Sequence, residues 1–288
     1  MNAPSPRAFD SAERSIGAIL IDAGRINIDG AERILRAQRE LGLRFGDAAV
    51  RLGLATQADG EFALSQQFDY PYLQRGNSKV SESVVAAYQP FSPQVEALRA
   101  LRSQLVLRWF DTKGERKALA VVSSESGEGR SWFAANLAVV FSQLGERTLL
   151  IDADLRKPAQ HALFGLESPL GLSSILSGRS GPEAVQRVPS LVDLSVLAAG
   201  PTPPNPQELL ARPILAQLLR QFAGSFDVVL IDTPPGARYA DGQTLAVRAG
   251  GALLVSRQNK SRLTLVRAYA DRLQQAGATV VGTVLNRY

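Results

Sequence analysis

Cysteine is absent from this 288-residue sequence, and histidine occurs once. Without thiols there is no disulfide framework, no cysteine nucleophile and no thiolate metal site, and the chain suits a reducing compartment. The lone His161 excludes multi-histidine metal binding; in RKPAQHALFG it reads as a helix-surface or packing residue. Chemistry therefore falls to carboxylates, backbone amides and cations. Long apolar runs are missing too. Nothing approaches the roughly 18–20 residues that span a bilayer, and MNAPSPRAFDSAERSIG lacks the apolar centre of a signal peptide. The expected location is cytoplasmic. Lysine is missing from residues 1–75, where nine arginines face ten carboxylates, so the net charge of +5 belongs to the rest of the chain. That basic excess suits phosphate ligands or plain solubility.

What is present begins with a repeat. Ser15 to Gln38 reads SIGAILIDAGRINIDGAERILRAQ, and Arg44 to Gln67 reads RFGDAAVRLGLATQADGEFALSQQ, with a five-residue spacer between them. Each copy predicts a short helix stopped at Gly24 or Gly53, then a second helix capped by Asn27 or Thr56. The expectation is a small all-α two-repeat domain over residues 9–73. Residues 74–91, with Ser and Gln but no sustained period, read as a linker. From Ser92 an amphipathic helix is followed by short Val/Ile/Leu runs, LAVVSS, TLLIDAD, LSVLAAG, VVLIDTPP, GALLVSR and TVVGTVLNR, separated by helical stretches. A sheet buried on both faces requires that pattern, so residues 92–288 are expected to form an α/β, doubly wound, mostly parallel sheet.

The first of these strands runs into ESGEGRSWFAANLA. Amides around Gly127, Glu128 and Gly129, at the start of a helix, suit a phosphate. The stretch resembles a P-loop, G-x-x-x-x-G-K-[ST], with Ser124 at the first glycine and Arg130 at the lysine. Ser131 keeps the hydroxyl that suits Mg2+. Trp132 follows, either packing on the sheet or narrowing the site. Asp152 and Asp154 lie two apart on one strand face, and Asp232 ends another strand. Ligands sit beyond the carboxyl ends of such strands, where loop and carboxylates converge. Pro203, Pro204 and Pro206 suggest a rigid loop at the mouth.

SGEGRSWFAANLA, LLIDADLRKP, GPTPPNPQELL and FDVVLIDTPP, in that order, resemble the cytoplasmic kinase domain of bacterial tyrosine kinases. That family works with polysaccharide co-polymerases in capsule and exopolysaccharide export, and the likeness is strongest to the EpsG-type, chain-length-determinant subgroup, whose transmembrane co-polymerase is a separate chain. The resemblance implies ATP and Mg2+ as cofactors, with Gly127, Glu128, Gly129, Arg130, Ser131, Trp132 and Asp232 holding the nucleotide. It implies Ser131, Asp152 and Asp232 at the metal, and Asp152, Asp154 and Arg130 as catalytic, Asp152 orienting or deprotonating the attacking hydroxyl. Asn286 either contacts adenine or caps its strand. Glu96, Arg99 and Arg102 share a helical face; spacing alone makes them a salt-bridge ladder, while the resemblance implies homo-oligomerisation. A co-polymerase partner would hold the chain at the inner membrane, and no nucleic-acid polymer is expected. Arg130 and the absence of a tyrosine-rich tail beyond Tyr288 leave an inactive, ATP-dependent scaffold (a pseudokinase) as the alternative. A partitioning or positioning ATPase shares the fold, but an additional lysine is expected early in its P-loop, where Glu125 stands here.

The N-terminal repeat resembles the N-terminal domain of type II secretion and pilus ATPases, whose ligand-binding form takes cyclic di-GMP through paired motifs. Arg44, Phe45, Gly46 and Gln67 match one motif; Arg14, Ser15, Ile16, Gly17 and Gln38 stand at the other. Arginine forks to guanine and stacks on it. The alternative is a docking module whose glycines merely let helices pack.

Overall fold

The computed structural model describes residues 15–67, 71–111, 116–167 and 169–287. The chain divides into two compact units, residues 1–72 and 73–288.

In the first unit α1 (Ile16–Asp22) and α2 (Ile28–Leu41) form one helix pair, α3 (Phe45–Arg51) and α4 (Gln57–Gln67) the other. Both short helices end where the chain must turn left-handed, at Gly24 and Gly53, each with φ of +65°, a conformation glycine adopts without a Cβ penalty. Asn27 then caps α2 by accepting from the Gly30 amide at 2.8 Å. Thr56 does the same work for α4 through Asp59, whose carboxylate accepts the Thr56 amide at 2.8 Å and hydroxyl at 2.7 Å. Arg25 adds an ion pair to Asp59 at 2.7 Å. Burial pushes the Asp59 pKa up, but the Thr56 and Arg25 contacts outweigh it and the net shift is downward. Ile19, Leu20, Ile26, Ile34, Ala48, Ala49 and Ala63 form the core.

The second unit holds a seven-stranded sheet: β1 (Ala118–Ser123), β2 (Thr148–Asp152), β3 (Gln186–Arg187), β4 (Leu194–Leu197), β5 (Val228–Asp232), β6 (Gly251–Arg257) and β7 (Thr279–Asn286). Their spatial order is β3-β4-β2-β5-β1-β6-β7. All pairings are parallel except that of the two-residue edge strand β3 with β4, so the mostly parallel sheet follows the reading of the apolar runs. Alternate residues serve opposite faces. Leu119, Val121, Leu150, Val228 and Leu230 face one helical layer, which includes α6 (Pro93–Leu105) and α7 (Arg130–Ser142). Leu149, Ile151, Val229 and Ile231 face the other, which includes α11 (Pro213–Ser225); Ala120, Val122, Ala252 and Leu254 meet α13 (Leu263–Gln275) on that side. Labels α5, α8, α9, α10 and α12 denote Val85–Tyr88, Gln160–Phe164, Leu172–Leu176, Pro206–Ala211 and Asp241–Ala249.

One expectation is corrected. Residues 74–91 are no linker: Val80, Val84, Ala86, Ala87 and Tyr88 are buried in the core of the second unit. The buried side chains span too short a stretch for a sustained period, and the segment's backbone adds further contacts. Along α7 and just past its end, Trp132 donates to the Ser83 carbonyl at 2.6 Å, Asn136 accepts the Ala86 amide at 2.8 Å, and Gln143 donates to the Ala86 carbonyl at 2.9 Å.

Candidate nucleotide site

Strand register brings the carboxylates together. Asp152 and Asp232 are direct neighbours on β2 and β5, and Val121 of β1 pairs with Asp232 on its other side. Two residues beyond Val121, β1 ends and the chain turns through Ser124–Gly129 into α7. Gly127 takes φ of +77° and Gly129, the residue before α7, +87°. The serine at the first glycine position has a structural reason: its hydroxyl donates to the buried Glu128 carboxylate at 3.1 Å. Glu128 also accepts the Glu125 amide at 2.7 Å and the Ser261 hydroxyl. A side chain inside the loop thus closes it from behind.

In front lies a cavity of about 510 Å³. The loop residues Ser126 to Trp132 form one wall; Asp154, Arg156 and Lys157 form the next; Pro203, Pro204 and Pro206, with Arg238 and Tyr239, complete the mouth. Arg156 stacks on the Tyr239 ring at 3.9 Å and pairs with Asp241 at 2.8 Å. The Gly127 carbonyl accepts from both Arg257 and Lys260 at 3.2 Å. A Cβ on Gly127 would lie 2.3 Å from the Lys260 ammonium. That lysine tip can swing aside, so the cost of Gly127→Ala lies in the backbone, whose φ of +77° a Cβ disfavours. The strained φ alone costs about 1–2 kcal/mol, which predicts roughly tenfold weaker nucleotide binding by calorimetry.

Arg130 lines the cavity, but its charged head is already engaged by protein groups. Its guanidinium is buried and divided three ways: Nε donates to Asp232 at 3.1 Å, Nη2 to Asp154 at 3.1 Å and Nη1 to the Ser123 hydroxyl at 2.9 Å. Asp152 lies deeper. Its oxygens accept the amides of Asp154 at 3.2 Å and of Ala159 and Gln160 at 2.9 Å each, and it does not line the cavity. Burial, reinforced by the neighbouring Asp232 charge, pushes its pKa up to about 8. The Asp154 pKa is also raised by burial, against the backbone amide of Lys157 and the Arg130 charge. Of the three strand-end aspartates Asp154 is thus the one that lines the cavity, whereas the motif favours Asp152 for the attacking hydroxyl. Among the described residues, no three carboxylate or imidazole groups stand ready to hold a metal ion; Arg130 sits between Asp154 and Asp232.

Other expected residues fall elsewhere. Asn286 donates to the Glu128 carbonyl at 3.3 Å and does not line the cavity, so here it braces the loop. Trp132 lines the cavity, and its indole N–H donates to the Ser83 carbonyl, a partner neither alternative named. In α6, Glu96 pairs with Arg99 at 3.1 Å, whereas Arg102 leaves that ladder and donates to the Val140 carbonyl at 2.7 Å. Gln160 went unread: fully buried, it donates to Asp232 at 2.7 Å and to the Ser131 carbonyl at 3.1 Å. Nothing in its type or spacing signals this. In the first unit Ser15 caps α1 by accepting the Ala18 amide at 3.3 Å, Gly17 lies against the Phe45 ring, and Arg44 is exposed just before α3. Ile16, Gln38, Gly46 and Gln67 are half-buried. Arg14 and Tyr288 lie outside the described residues.

A glycine loop between a central parallel strand and its helix, with carboxylates on the adjacent strand ends, defines a P-loop NTPase. Residues 115–287 match the ParA family model, described as NUBPL iron-transfer P-loop NTPase. The chain is 36% identical over 209 residues to the tyrosine-protein kinase YwqD of Bacillus subtilis (strain 168), an alignment that covers 73% of this chain and 87% of YwqD. It belongs to the bacterial tyrosine-kinase family. Tyrosine-protein kinase etk of Escherichia coli (strain K12) is 34% identical over 202 residues, 70% of this chain, but that alignment spans only 28% of etk. The solved kinase domain of the Escherichia coli tyrosine kinase ETK superposes with a TM-score of 0.70 at 32% identity, covering 76% of this chain and 85% of that one.

Proposed function

We propose that this chain binds ATP with Mg2+ in the 510 Å³ cavity and transfers its terminal phosphoryl group to tyrosine, in the service of exopolysaccharide polymerisation and export. The observation that carries this is the cavity's composition: P-loop amides and Ser131 on one side, Asp154 beside them, and Arg156, Lys157 and Arg238 opposite. The donor set suits a triphosphate, which needs amides and cations, and its Mg2+, which needs oxygen ligands. The Ser131 hydroxyl, Asp232 and Asp152 or Asp154 would hold the cation. Bound Mg2+–ATP supplies the transferable phosphoryl group and the neutralisation of its oxygens. Loop amides position that group, Arg156, Lys157 and Arg238 attract its charge, and the proline-rich mouth limits water. Asp154, facing the cavity with a raised pKa, is the group best placed to orient a tyrosine hydroxyl or take its proton. Asp154→Asn is expected to lower phosphotyrosine formation from radiolabelled ATP by about 10²-fold or more, with ATP binding retained.

A second reading is favoured by Arg130, whose guanidinium is engaged by Asp154 and Asp232: an ATP-dependent scaffold without phosphotransfer. ATP binding with no phosphotyrosine in the wild type would select it. In both readings a transmembrane co-polymerase on a separate chain is the partner, and the exposed Glu96 on α6 supports a homo-oligomeric contact. We further propose that the N-terminal unit takes cyclic di-GMP, an idea supported by the exposed Arg44 and the matched helix pairs. Calorimetry on the full chain tests it; Arg44→Ala is expected to weaken binding about tenfold or more, in line with a lost bidentate contact to guanine. Unchanged affinity would leave the unit a docking module.

A further inference from the structure

We propose that Arg130 is a built-in counter-cation: its guanidinium occupies the place of a divalent cation between Asp154 and Asp232. This rests on the nucleotide reading of the same cavity. Side-chain exposure is 8% for Arg130, 5% for Asp154 and 0% for Asp232, so these charges have little water to neutralise them. Two carboxylates held this close need a cation. Arg130 meets that need by geometry. Its fork reaches both carboxylates at 3.1 Å and the Ser123 hydroxyl at 2.9 Å, a bridge that the point charge of a lysine spans poorly. Gln160 takes the second Asp232 oxygen at 2.7 Å, which leaves its own buried Oε1 without a partner.

The consequence is competition. A divalent cation needs the Asp232 and Asp154 oxygens that the guanidinium already holds, so the metal alone gains little by entering. Nucleotide phosphates offer Arg130 a replacement partner in the cavity it lines, and metal and nucleotide are therefore expected to enter together. Lysine at this position leaves the two carboxylates less fully neutralised and more open to metal alone. The arginine thus sets the order and conditions of loading.

The test is Mn2+ binding to the full chain without nucleotide, measured by calorimetry and by Mn2+ electron paramagnetic resonance. Wild type is expected to bind Mn2+ weakly, Arg130→Met about tenfold or more tightly, and Arg130→Lys in between. Adding Asp154→Asn to Arg130→Met is expected to abolish the gain. Equal Mn2+ affinity in wild type and Arg130→Met overturns the inference. Should the methionine variant fail to fold, Arg130→Lys decides: tighter than wild type supports the counter-cation, equal affinity refutes it. Mg2+–ADP binding to wild type is measured in parallel, and its absence would overturn the nucleotide reading without touching the metal comparison.

Discussion

Replacing Trp109 with alanine is expected to cost the α/β unit about 3–5 kcal/mol, the range for a deleted buried tryptophan. The residue sits in the single π-helical turn Val106–Phe110 and is 1% exposed. Its indole N–H donates to the carbonyl of Ala118, the first residue of β1, at 2.9 Å. The ring also fills the space in front of Gly251, where a Cβ would lie 2.4 Å away. One side chain thus holds the starts of β1 and β6, and β1 carries the phosphate loop at its other end. The neighbouring Phe110 meets Phe141 of α7 edge-on at 5.3 Å, tying the same turn to the helix behind the loop. Urea unfolding followed by far-ultraviolet circular dichroism measures the loss. Trp109→Phe keeps much of the apolar burial and loses the hydrogen bond, so its cost is expected to be smaller, about 1–3 kcal/mol. Wild-type stability in Trp109→Ala would show that the turn does not anchor the strands.

The second large effect is a pH dependence. Asp152, with burial as the main cause and the Asp232 charge next, keeps its proton up to about pH 8 when folded, whereas an unfolded aspartate loses it near pH 4. Between those values the folded chain binds more protons than the unfolded one, so stability falls as pH rises. The slope from this group reaches about 1.4 kcal/mol per pH unit and vanishes below about pH 4 and above about pH 8. Asp154 is shifted in the same direction and adds to it; the charges acting on Asp152 are Asp232 on β5 and Asp154 just past the end of β2. Thermal melts from pH 5 to pH 8 without nucleotide are expected to show a clear decline in the wild type and a flatter profile in Asp152→Asn. Parallel profiles would place the proton elsewhere.

Much of the fold was legible because its signals are local. A strand buried on both faces must be continuously apolar, so VVLID and TLLID announce themselves. Glycines needing a positive φ mark the helix stops at Gly24 and Gly53, and the chain order of loop and aspartates places them at one sheet edge. Rotamers and closures were not legible. A motif gives Arg130 its position but not the direction of its head, which is set by unpaired charge on Asp154 and Asp232. The Ser124 departure looks like a degraded motif until Glu128 folds back to meet it. Residues 74–91 read as a linker because periodicity reports regular side-chain burial, whereas the buried Val80, Val84, Ala86, Ala87 and Tyr88 span too short a stretch for a sustained period and backbone groups share the hold on α7.

That last feature also sets where the α/β unit begins. A chain trimmed at Ser92, where the apolar periodicity starts, would take Ala86 and Ser83 away from α7 and with them one hydrogen bond each of Asn136, Gln143 and Trp132. The smallest autonomous α/β body therefore starts near Leu73, well before the sequence pattern announces it at Ser92.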